Sequence, residues 1–77
     1  MAAMRMSHDP EADASYVRLV DQIHPGEAVT QIVVEDDRLP GGVVLDLDAD
    51  GRLLGIEVLG ASRLLRPEVL RRARRGG

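Results

Sequence analysis

The sequence contains no cysteine, tryptophan, phenylalanine or lysine, and its 77 residues include a single aromatic side chain, Tyr16. Without cysteine, neither a disulfide framework nor a zinc site with thiolate ligands can form. Aromatic side chains bury about 150–250 Å² each, so this core has to be built from valine, leucine, isoleucine and alanine instead. Because so short a chain is only marginally stable alone, we expect one domain over residues 1–77 that is stabilised by homodimerisation.

Long hydrophobic runs are also missing. No stretch approaches the ~20 apolar residues of a membrane span, so we expect no membrane partner. The start of the chain lacks the apolar segment of about 7–15 residues that a secretion signal needs. Together with the lack of cysteine, this predicts a cytoplasmic protein.

The charges are distributed unevenly, although the net charge is only −3. Residues 1–60 hold four arginines against twelve acidic residues, a net charge of −8, whereas residues 61–77 hold six arginines against Glu68 alone, a net charge of +5. An acidic body with a basic tail is typical of proteins that contact nucleic acid or an acidic partner.

The hydrophobic pattern of the first sixty residues is that of β-strands. Residues 15–20 alternate between apolar and polar side chains, which indicates a half-buried strand. Residues 29–34, 43–47 and 53–59 are rich in valine, isoleucine and leucine and predict three more strands, and residues 4–6 predict a short edge strand. Asp50-Gly51 is the signal of a tight hairpin between the last two strands. We expect residues 9–13 to form one helical turn.

The pattern changes after Gly60. Pro67 and Glu68 are typical of a first helical turn, and the arginines that follow suit a helix C-terminus. The sequence therefore predicts an α+β protein with a core over about residues 4–62, a short antiparallel sheet of about five strands and an Arg-rich C-terminal α-helix over about residues 63–75. Apolar residues on both faces of the strand at 53–59 predict that this strand is covered on both sides.

Two segments carry a resemblance to a known family. Residues 8–19, His-Asp-Pro-Glu-Ala-Asp-Ala-Ser-Tyr-Val-Arg-Leu, and residues 46–62, Asp-Leu-Asp-Ala-Asp-Gly-Arg-Leu-Leu-Gly-Ile-Glu-Val-Leu-Gly-Ala-Ser, resemble the two halves of a family of small prokaryotic proteins. The family is known as a domain of unknown function, number 2283. The resemblance implies a compact, strand-rich domain and brings no catalytic residue, cofactor or substrate. The arginines after Ser62 lie outside the shared pattern.

An acidic motif spans the predicted hairpin. Asp46, Asp48, Asp50 and Glu57, with Gly51, match the letters of an EF-hand calcium loop. Such a loop normally joins two helices, whereas this segment has strand patterning, and in a hairpin Glu57 lies too far along the strand to close a cage. A plain hairpin is the favoured interpretation, and a weak cation site completed by another subunit is the alternative. No cofactor is expected.

The basic residues of the tail suggest three roles. One interpretation is a solvated helix end, and another is a contact with the acidic body of the same or a neighbouring subunit. A third is a nucleic-acid surface that pairs with phosphates but has no aromatic side chain for base stacking. Its members are Arg63, Arg66, Arg71, Arg72, Arg74 and Arg75.

Residue types of a hydrolase occur at Ser7-His8-Asp9. Neighbouring residues of an extended chain point to opposite faces, so these three cannot form a catalytic triad, and we expect no enzyme.

The preferred hypothesis is a non-enzymatic, homo-oligomeric protein-interaction module that binds itself and a further protein. The alternatives are a nucleic-acid-binding or antitoxin-like regulator, through the arginines, and a small calcium-binding protein, through the hairpin.

Overall fold

The computed structural model describes residues 4–76, and it describes the side chains of residues 4–73. Its elements are the strands β1 (Arg5–Asp9), β2 (Ala14–Arg18), β3 (Thr30–Val34), β4 (Gly42–Leu47) and β5 (Leu53–Leu59) and the helices α1 (Ala61–Leu64) and α2 (Pro67–Gly76). The α+β class and the antiparallel sheet are thereby confirmed. The C-terminal helix is confirmed as α2, which begins at Pro67; the residues before it form the separate helix α1, and Leu65 and Arg66 lie between the two.

The five strands form one antiparallel sheet in the order β1-β2-β5-β4-β3. Residues that pair across the strands form rows, and successive rows alternate between the two faces. The core face is defined by an apolar row: Met6, Val17, Ile56, Leu45 and Ile32. The polar face is defined by the neighbouring row: Arg5, Arg18, Gly55, Asp46 and Gln31.

The core is small. Its buried apolar side chains are Val44, Leu54, Val58, Ala61 and Ala73. Two of these five are alanines, and none of the larger side chains described is buried completely. Leu53 and Leu59 are 36% and 41% exposed in the single chain, so cover of β5 on both sides stays a prediction that depends on an assembly.

Short connections join the neighbouring strands. Residues 10–13 form a turn, not the helical turn expected, and the Asp9 carboxylate accepts hydrogen bonds from the amides of Glu11 and Ala12. The β4–β5 hairpin is confirmed: Gly51 adopts a left-handed φ of 77° and its amide donates to the carbonyl of Asp48 over 3.0 Å. Glycine suits this position because it has no Cβ to clash.

The two helices lead the chain from the central strand β5 to the edge strand β1. α1 follows β5 directly, and α2 begins at Pro67, whose fixed φ suits a first helical position. α2 contacts β1, and its Ala73 is 1% exposed. Neither of these helices has the length and the apolar run that crossing a membrane requires.

Candidate functional site

The strand β3 forms one edge of the sheet and leaves apolar side chains uncovered. Ile32 points to the core face and is 47% exposed, whereas Val33 points to the polar face and is 60% exposed. Val29, just before the strand, is 57% exposed. β3 holds no charged residue and no proline, the devices that normally prevent an edge strand from pairing with another chain. This edge can therefore accept a further strand.

The other edge of the sheet is built differently. β1 carries Arg5, His8 and Asp9 within its five residues and is contacted by α2. Charges and a covering helix both protect an edge strand. The contrast makes β3 the available edge.

A hydrogen-bond network crosses the polar face. The Tyr16 hydroxyl on β2 donates to Oδ2 of Asp46 on β4 over 2.8 Å, and Nε2 of Gln31 on β3 donates to Oδ1 of the same carboxylate over 3.0 Å. Both carboxylate oxygens of Asp46 are thus occupied, and the network ties three strands together through a group on β4.

Tyr16 reaches Asp46 by lying across β5 at Gly55. A Cβ at Gly55 would collide with the hydroxyl oxygen and the ring of Tyr16, so only glycine leaves room for the ring. Partial burial, together with the hydrogen bond to Asp46 and the negative charges of Asp46 and Glu57, raises the pKa of Tyr16 to about 12. The phenol therefore stays neutral, as a donor to Asp46 has to be.

The acidic hairpin residues have separate roles in the structure. Asp46 belongs to the network on the polar face, and Oδ1 of Asp48 accepts hydrogen bonds from the amides of Asp50 and Arg52, each over 2.9 Å. Asp50 is exposed at the turn, while Glu57 lies along β5 opposite Val44. Among the described residues, no three histidine or acidic side chains form a group able to hold a metal ion. The described residues therefore do not form a calcium cage in this structure.

The arginines of the tail lie on both helices and on the link between them. Nε of Arg63 donates to the carbonyl of Pro40 over 3.0 Å, and Arg66 forms an exposed ion pair of 3.3 Å with Glu68. Arg71 and Arg72 are exposed on α2. Arg74 and Arg75 lie outside the described side chains, so the structure places four of the six predicted residues.

The structure pairs His8 with Ser15 and not with the neighbouring Ser7. Nδ1 of His8 lies 2.7 Å from the Oγ of Ser15, its partner across β1 and β2. Ser15 is 2% exposed, so its hydroxyl is satisfied within the fold and is not accessible to a substrate. Ser7 and Asp9 point to the face opposite His8, as the alternation predicts.

A second contact that was not predicted anchors α1 to the β1–β2 turn. The Asp13 carboxylate accepts hydrogen bonds from the amide of Ser62 over 3.0 Å and from its hydroxyl over 2.7 Å, and the Asp13 carbonyl accepts one from Ala61. The hydrogen bonds from Ser62 hold the pKa of Asp13 below its usual value. No local sequence signal links two residues that lie 49 positions apart.

Comparison with known proteins covers most of this architecture. No curated protein and no solved structure matches the chain. One family model matches residues 5–62, from the first residue of β1 to the Ser62 that Asp13 holds, and its description is "Protein of unknown function (DUF2283)". The matched segment contains the whole sheet, the Tyr16–Asp46 network and both partners of the Asp13–Ser62 contact, and so the chain belongs to the DUF2283 family.

Proposed function

We propose that this chain is a non-enzymatic protein-interaction module of the cytoplasm that works as a homodimer. In the dimer, β3 of one copy pairs with β3 of the other, and the two five-stranded sheets become one continuous sheet. The observation that supports this most directly is the open β3 edge, with Ile32 and Val33 exposed on opposite faces.

The composition of β3 suits pairing with its own copy. An antiparallel pair related by a two-fold axis places the same surface on both sides of the interface. With the axis at Ile32, each Ile32 faces its copy, each Gln31 faces the partner's Val33 and each Thr30 faces the partner's Val34. No like charges oppose each other within the strand pair, and opposed β-branched side chains stabilise such pairs.

The size of the core also supports an assembly. The described residues bury five apolar side chains, and two of those are alanines. Small domains that lack disulfides and metals are commonly stabilised by association. Pairing at β3 would cover part of Ile32 and Val33, which the isolated chain leaves 47% and 60% exposed.

The non-enzymatic part of the proposal rests on the His8–Ser15 pair. This pair brings a potential base and a potential nucleophile within 2.7 Å. A nucleophile has to reach its substrate, and Ser15 is 2% exposed beneath its neighbours. The pair therefore serves to satisfy a buried hydroxyl group.

The proposal is tested by measuring the mass in solution over a range of protein concentrations. Light scattering coupled to size exclusion should give about twice the chain mass of 8.4 kDa. Val33→Lys should shift the equilibrium to monomer, because a charge would then lie within the strand pair. Ala49→Lys adds the same charge at an exposed position of the β4–β5 hairpin and should leave the dimer intact. A wild-type chain that remains monomeric at high concentration would refute the dimer.

A nucleic-acid-binding regulator is the second candidate, and the exposure of Arg71 and Arg72 on α2 favours it. Fluorescence anisotropy with a labelled oligonucleotide should then show binding that weakens steeply with salt, since phosphate contacts release counterions. The double variant Arg71→Gln/Arg72→Gln should lose this binding while keeping the same oligomeric mass. Salt-sensitive binding that persists in the double variant would exclude this surface.

A further inference from the structure

Two arginines lie directly opposite each other on the polar face, on the two strands at the edge of the sheet that is remote from β3. Arg5 on β1 pairs with Arg18 on β2. Side chains of directly paired residues start about 4.5–5.5 Å apart, and like charges in such a pair destabilise the sheet. The arrangement is therefore unfavourable in the isolated chain and becomes favourable when an anion lies between the two guanidinium groups.

Neither arginine is neutralised within the part of the chain whose side chains are described. The ion pairs found there join Arg38 to Asp36 and Arg66 to Glu68. Nε of Arg18 donates to the carbonyl of Val20 over 3.0 Å, which fixes the side chain and leaves its terminal N–H groups available. The guanidinium of Arg5 has no hydrogen-bond partner among these residues.

The nearest carboxylates of the polar face are arranged so that they do not neutralise the pair. Asp46 lies in the same row, but Gly55 on the intervening strand separates it from Arg18, and Tyr16 and Gln31 occupy its two oxygens. Glu57 pairs with Tyr16 and lies in the next row. The Tyr16 side chain thus comes between the two arginines and the acidic part of this face.

Next to the two arginines lies an open cavity of about 420 Å³, lined by Arg5, Met6, Ser7, Tyr16 and Arg18. The volume lies within the range of about 300–1,000 Å³ that is usual for small-molecule sites. Besides the arginines, the cavity has the Ser7 hydroxyl as a hydrogen-bond donor and the Tyr16 ring as an apolar wall.

We propose that this cavity is a binding site for the phosphate group of a small molecule, held between the guanidinium groups of Arg5 and Arg18. A carboxylate carries one negative charge and neutralises only one of the two arginines. A phosphate monoester has three non-bridging oxygens, which can accept hydrogen bonds from both arginines and the Ser7 hydroxyl together. A dianion also neutralises both positive charges. The cavity has room beside the phosphate for an organic group next to the Tyr16 ring.

The test is a titration followed by amide chemical shifts, at constant ionic strength, with inorganic phosphate, ribose 5-phosphate and acetate. We expect saturable shifts for residues 5–7 and 16–18 with the phosphate compounds and none with acetate. Arg5→Gln and Arg18→Gln should each weaken binding by about tenfold or more, which corresponds to a change of about 1.4 kcal/mol. Arg52→Gln removes the same charge from an exposed position of the β4–β5 hairpin that does not line the cavity and should bind like wild type.

The relative affinities of the ligands show whether the bound phosphate belongs to an organic molecule or is the free anion. Tighter binding of ribose 5-phosphate than of inorganic phosphate identifies a phosphorylated organic molecule, and equal binding identifies the free anion. The absence of saturation, an equal response to acetate, or an equal loss in Arg52→Gln would overturn the proposal. Because the site lies away from β3, monomeric Val33→Lys should bind phosphate as wild type does, so this proposal and the dimer can fail separately.

Discussion

Replacing Gly55 by alanine tests whether the Tyr16–Asp46 hydrogen bond across β5 stabilises the sheet. The added Cβ would lie 2.8 Å from Cε2 of Tyr16 and closer still to the hydroxyl end of the ring. Both strands that flank Gly55 are paired to β5 along their length, so the backbone cannot move aside easily. The ring has to rotate away, and its hydrogen bond to Asp46 is then lost.

Two opposing terms set the size of the effect. Loss of a hydrogen bond to a charged group costs about 1.5–3 kcal/mol. Alanine in a strand interior is favoured over glycine by about 0.5–1 kcal/mol, because glycine loses more conformational entropy on folding. We therefore expect Gly55→Ala to lower the free energy of unfolding by about 1–2 kcal/mol.

The assay is urea unfolding of four proteins: wild type, Gly55→Ala, Tyr16→Ala and the double variant. With Tyr16 already removed, the added methyl group has no ring to displace, and Gly55→Ala should become neutral or stabilising by up to about 1 kcal/mol. The coupling free energy between the two positions should therefore be about 1.5–3 kcal/mol. If Gly55→Ala costs the same with and without Tyr16, the clash with the ring is not the cause of the destabilisation.

Two further predictions concern titratable groups of the same fold. Because the chain has no other tyrosine and no tryptophan, its tyrosinate absorbance reports Tyr16 alone. The Tyr16 phenol should titrate near pH 12 in the folded protein and at about pH 10 in the urea-unfolded chain. The resulting stabilisation is complete below the unfolded pKa and is lost as the pH rises from about 10 through 12, and Asp46→Asn should shift the folded titration towards the unfolded one. Asp13→Gly should lower the melting temperature by removing the acceptor of Ser62, and Asp13→Ala should lower it further, because Asp13 has a left-handed φ of 50° that alanine tolerates poorly. Asp13→Gly should also reduce the loss of stability in acid. Because the pKa of Asp13 is lower in the folded state, this residue stabilises the fold above its unfolded pKa, and the stabilisation is lost as the pH falls through the folded pKa. An unchanged acid transition in Asp13→Gly would contradict this role.

Local patterns were sufficient to predict the strands, because each strand is specified by its own residues. The alternation around Tyr16 and Val17 placed these two side chains on opposite faces, and Asp50-Gly51 located the hairpin. The break between α1 and α2 was missed even though Pro67 was recognised as a first helical position. A proline disfavours helical geometry in the residue before it, and the chain has already left helical geometry at Leu65, which is extended with φ −104° and ψ 142°.

The strand order and the candidate site could not be predicted in the same way, since both depend on pairings between distant residues. β5 lies between β2 and β4, and this order alone brings Tyr16 to Asp46 and makes β3 an edge. The pairing of Arg5 with Arg18 likewise requires the register of β1 on β2. From the sequence, the acidic hairpin and the basic tail were the notable features, whereas the structure draws attention to an uncharged edge strand and to two opposed arginines.

The position of α2 also determines how the basic tail has to be studied. The family match ends at Ser62, before α2 begins, which suggests an appendage that can be removed. Yet α2 contacts β1, and its Ala73 is only 1% exposed. Deleting residues 63–77 would expose the β1 edge as well as remove six arginines, so a lost activity would have two explanations. Substituting the exposed Arg71 and Arg72 by glutamine changes the charge and leaves the cover of β1 in place, and it is therefore the variant that distinguishes a binding surface from a structural helix.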